Sequence, residues 1–78
     1  PDRRAGLVAQ HRRVMRKYEE MVATHGADQV GGIVAGLVRA TDSQFKRLID
    51  QPRHHDDLQR QLDDLDRLLE ERRRAFER

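Results

Sequence analysis

With 78 residues the chain has room for one domain and no second core, because so short a polypeptide buries a small share of its surface. Sixteen Lys and Arg stand against 14 Asp and Glu, and a formal net charge of only +2 is a poor argument for a polyanionic partner. The absence of cysteine excludes disulfides and cysteine-based zinc sites, and no stretch, Val30 to Val38 included, approaches the roughly 18 apolar residues of a membrane span.

The N-terminus lacks the apolar region of a signal peptide, and the expected location is cytoplasmic. A start at Pro1 reads as a processed product or an excised piece of a longer protein. The larger apolar side chains at periodic positions number about twenty-one, and the aromatic residues are Tyr18, Phe45 and Phe76. Hydrophobic stabilisation from such a set is thin, and self-association is an economical supplement to it.

In the first segment Leu7, Val8, Val14, Met15, Tyr18, Met21 and Val22 share one helical face, while Arg12, Arg13, Arg16, Lys17, Glu19 and Glu20 fall off it. This spacing predicts a helix over 3–25, ended by Thr24, His25 and Gly26, with Asp28 placed to cap the next helix. The second helix, predicted over 29–50, carries Val30, Ile33, Val34, Leu37, Val38, Phe45, Leu48 and Ile49. Gly31, Gly32 and Gly36 weaken it by about 1 kcal/mol each relative to alanine. Two readings of these glycines stand: a softened helix start, or a ridge of small residues at Gly32, Gly36 and Ala40 that lets another helix approach closely.

Gln51 and Pro52 punctuate the chain again, and a third helix is predicted over 53–77. Leu58, Leu62, Leu65, Leu69, Arg72 and Phe76 alternate at spacings of four and three, the pattern of a coiled-coil seam in which Arg72 is the odd member. The segment resembles a coiled-coil arm. Carboxylates crowd its first half and arginines its end, which complements the helix dipole.

The expected fold is all-α, a three-helix up-down-up bundle or a long helical hairpin with a coiled-coil-like C-terminal helix, dimerising. Charge distribution favours a parallel first and third helix. Residues 3–17 hold six basic side chains and no acidic one, whereas residues 56–71 hold seven acidic ones against Arg60 and Arg67.

His54, His55, Asp56 and Asp57 have metal-ligand chemistry, but adjacent helical residues point about 100° apart, so a polar helix start explains them better. His11 and His25 continue the apolar stripe of the first helix and are expected as hydrogen-bonded residues at the edge of the core. Ser43 sits in no nucleophile elbow, and the glycines lack the Lys-Ser/Thr ending of a phosphate loop. No catalytic residue, metal or cofactor is expected.

The functional expectation is a non-enzymatic helical interaction or oligomerisation module, an adaptor or regulator, whose partner is another protein or a second copy. Its expected contact residues are Gly32, Gly36, Leu37 and Ala40, together with the seam residues Leu62, Leu65, Leu69 and Phe76. The competing expectation is nucleic-acid binding through Arg3, Arg4, Arg12, Arg13, Arg16 and Lys17, since arginine suits phosphate. The dominance of Arg over Lys suggests a GC-rich coding sequence of bacterial or phage origin.

Overall fold

The computed structural model describes residues 2–78, of which about 90% are helical and none is in a strand. The all-α class therefore holds, with four helices packed together. Helix α1 spans Arg3–His25, α2 is a single turn over Ala27–Val30, α3 spans Gly32–Leu48, and a 3-10 turn at Pro52–His54 leads into α4, His55–Phe76.

Helix α1 follows its sequence signals. The Asp2 side chain accepts a hydrogen bond from the Ala5 backbone N–H, which satisfies one of the free donors of the first turn. Leu7, Val14 and Met21, seven residues apart, form its buried stripe. Gly26 ends it at φ 86°, a conformation that glycine tolerates best, and its N–H donates to the Val22 carbonyl.

The continuous second helix expected over 29–50 is instead divided at Gly31. This residue takes φ 107° and ψ 146°, so the helical ladder stops after Val30 and restarts at Gly32. Two interactions stabilise the interruption. The Gly31 N–H donates to the Ala27 carbonyl, and Arg72 Nε, reaching across from α4, donates to the Val30 carbonyl at 3.0 Å. The Arg72 guanidinium lies 2.9 Å from the place a β-carbon on Gly31 would occupy. Arg72 departs from the leucine seam because its position serves this carbonyl.

The interior consists of two apolar clusters. Val14, Met21, Val30, Val34 and Val38 meet Leu65 and Leu69, while Leu7, Phe45 and Ile49 meet Leu58 and Leu62. Ion pairs and a hydrogen bond line the boundary between α1 and α4. Arg3 reaches Asp56 at 2.6 Å, Gln10 donates to Asp63 at 2.7 Å, and Lys17 reaches Asp66 at 2.8 Å. Partner numbers rise together, so these two helices run in the same direction. Exposed pairs of this kind are worth at most about 1 kcal/mol each, enough to choose between packings but small beside the burial of the leucines. Among the described residues no helix is long and apolar enough to cross a membrane.

Glycine positions separate by what surrounds them. A β-carbon on Gly36 would meet nothing within 4 Å, so Gly36→Ala should raise unfolding free energy by about 0.5–1 kcal/mol through helix propensity. Gly31→Ala combines an unfavourable φ with a clash against Arg72 and should cost at least about 1 kcal/mol. Urea titration of both variants against the parent chain measures the two signs.

Candidate interaction surface

Helix α3 turns Val34, Val38 and Phe45 inward, and the residues one step round the helix toward α4 remain uncovered. Ile33 is 82% exposed and Leu37 45% exposed, the two large apolar side chains that the chain leaves in solvent among the described residues. Between α3 and α4 lie two adjoining depressions of about 370 and 320 Å³ that share Leu37 and Leu68. Ala40, Gln44, Gln61 and Asp64 line the first, and Ile33, Glu71 and Arg72 the second. The groove is therefore apolar in the middle and polar at its rims.

Of the residues expected to meet a partner, Leu37, Gly36 and Ala40 lie on or beside this face. Gly32 and Gly36 have no neighbour within 4 Å of a built β-carbon, so no helix of the same chain approaches the small-residue ridge. The leucine seam lies elsewhere. Leu62, Leu65 and Leu69 are 0%, 4% and 0% exposed, packed against α1 and α3 inside the chain. In this fold they are core residues and not an open contact surface, because α4 directs its apolar stripe at the two other long helices. Phe76 is half-buried and stacks on His25, with ring centroids 3.8 Å apart.

The basic residues of α1 divide in the same way. Arg3 pairs with Asp56, Arg4 with Asp50, and Lys17 with both Asp66 and Glu70. The hydrogen bond that Lys17 donates to the Asp66 carboxylate raises the Lys17 pKa above its ordinary value. Arg12, Arg13 and Arg16 are exposed and take part in no ion pair among the described residues, which leaves three of the six cations free for phosphate.

Each histidine has a structural partner. His11 stacks on Phe45 with centroids 4.1 Å apart, and its Nε2 lies 2.8 Å from an Asp42 carboxylate oxygen on α3. Lys46, and then His11, lower the Asp42 pKa. Sequence reasoning placed His11 at the core edge and missed this carboxylate. The signal was faint, since Asp42 stands beside the apolar stripe of a helix 31 residues away. His55 is buried and donates from Nε2 to the Ile49 carbonyl at 2.7 Å, whereas His54 accepts from Arg53 Nε at 3.3 Å. The two histidines are engaged apart, and among the described residues no three metal-ligating side chains converge.

Comparison with protein-family models, curated proteins and solved structures gives no match to this chain.

The α1/α4 boundary makes stability depend on pH. Hydrogen bonds from Arg73, reinforced by Lys17, hold the Glu70 carboxyl down at about 2, below its ordinary value of 4.5. Stabilisation from a lowered carboxyl is present above 4.5 and is lost as pH falls toward 2. Lys17 acts at the other end, since its raised pKa gives stabilisation that is present below 10.5 and lost as pH climbs through the raised value. Denaturant titrations across pH should register both slopes. Glu70→Gln should flatten the acid one and reduce the alkaline one.

Proposed function

We propose that the chain is a non-enzymatic helical interaction module, an adaptor or regulator, whose docking surface is the groove between α3 and α4. The observation that carries this reading is the exposure of Ile33 and Leu37 over a groove floored by half-buried Leu68. Isolated exposed apolar residues are ordinary, but two on successive turns over an apolar depression form a patch of the kind that marks binding sites. Beside them Gly36 and Ala40 permit close approach of a partner's backbone, and the rims supply polar groups for register.

The nucleic-acid reading is weaker. Half of its cations, Arg3, Arg4 and Lys17, are tied to carboxylates. Aromatic stacking groups are also engaged internally, Phe45 by His11 and Phe76 by His25.

Photo-crosslinking discriminates the two readings. A photoreactive phenylalanine analogue in place of Ala40 should give adducts with polypeptide when the chain is irradiated in cells, and the same analogue in place of Arg12 should give few or none. Nucleic-acid adducts at position 12 with none at position 40 would overturn the docking assignment in favour of the phosphate-binding one.

A further inference from the structure

The α3/α4 face carries charged side chains along both of its edges. On the α4 side Asp57, Asp64 and Glu71 stand seven residues apart and so share one edge of the groove, with Gln61 and Leu68 between them. On the α3 side the outward row is Ile33, Leu37, Ala40, Gln44 and Arg47, which contains no carboxylate. One edge is acidic. The other ends in Arg47, whose side chain among the described residues donates only to Gln44, within its own helix.

We propose, resting on the docking reading above, that this face is covered by a second copy of the chain, related by a two-fold axis that runs along the groove. Such an axis lays α3 of each protomer on α4 of the other. The levels follow from the groove itself, where Ile33 sits beside Glu71 and Arg72, Leu37 beside Leu68, and Ala40 and Gln44 beside Gln61 and Asp64. Falling numbers on one side against rising numbers on the other make α3 and α4 antiparallel within a chain. The two-fold repeats that relation between chains, so all four helices have antiparallel neighbours.

Matching the levels places Leu37 on the partner's Leu68 at the centre, Gln44 near the partner's Gln61, and Arg47 at the level of the partner's Asp57. The result is an apolar centre with charged pairs at each end. A two-fold across the helices would instead stack α4 on α4 and bring the three carboxylates of each copy against those of the other. Asp57 and Asp64 keep their intrahelical arginine partners there, so the choice rests on Arg47, which meets the partner's Asp57 only in the first arrangement. A face about 25 Å long, the length of α3, and roughly 20 Å wide, two helix diameters, gives a total buried area of order 1,000 Å². This lies at the lower bound for a specific interface, which matches a dimer that exchanges at micromolar concentrations.

Light scattering of the purified chain at about 100 µM should return twice the chain mass. Leu37→Glu and Ile33→Glu should each return the single-chain mass with unchanged helical circular dichroism, and the high exposure of Ile33 protects the second variant from misfolding. Arg47→Glu alone and Asp57→Arg alone should each raise the dissociation constant about tenfold, and the double reversal should bring it back toward the parent value. A single-chain mass for the parent at this concentration would overturn the proposal, as would a dimer indifferent to both apolar-to-Glu variants. Dimers unrestored by the double reversal would overturn the two-fold arrangement. Polypeptide adducts at position 40 beside a monomeric parent would end self-association and leave the docking reading standing; a monomeric parent with no such adducts ends both.

Discussion

Both apolar clusters are built on one row of leucines. Leu58 and Leu62 close the cluster that holds Leu7, Phe45 and Ile49, while Leu65 and Leu69 close the one that holds Val14, Met21, Val30, Val34 and Val38. Helix α4 is thus the element on which α1 and α3 both pack, and each fully buried leucine adds about 1.5–3 kcal/mol of transfer free energy. Conformational entropy of similar total size opposes this gain, so a chain with three aromatic residues has little to spare. The polar pairs around the row set direction and register. They follow from α4's position more than they determine it.

That arrangement also explains why α3 presents an open face. A helix packed on two neighbours buries roughly a third of its circumference, and in α3 this third is filled by Val34, Val38 and Phe45. Ile33 and Leu37 exceed what the stripe can accommodate, so they lie on the flank next to α4. The surplus is local: α4 places Asp57, Asp64 and Glu71 on the matching flank and α1 its arginines on the outer side. Apolar exposure is therefore concentrated on one side of the molecule.

Much of this was legible in the residues. Periodicity located the ends of α1 within its structural bounds, and Pro52 marked the approach to α4. The opposed charges of residues 3–17 and 56–71 anticipated which helices would lie side by side. Three features were not legible for definite reasons. A heptad row of leucines has the same spacing whether it faces another chain or two helices of its own, so the identity of the surface that buries Leu62, Leu65 and Leu69 lay outside the pattern. Gly31, Gly32 and Gly36 look alike as letters, yet only Gly31 takes a positive φ, because only there does a side chain from a distant helix reach the carbonyl left free. Likewise the Asp42 partner of His11 depends on a contact that sequence spacing cannot locate.

The Arg72 contact has a kinetic side. It joins a carbonyl at position 30 to a side chain 42 residues later, in the last turns of α4, where helices ordinarily fray. Loosening that terminus removes the donor from the Val30 carbonyl, and loosening the Gly31 junction removes the acceptor from Arg72. Opening at either end therefore carries the added cost of this one bond, about 1 kcal/mol. Amides near Arg72 in α4 should therefore exchange more slowly than in the same helix without the anchor, by what one bond of about 1 kcal/mol supplies.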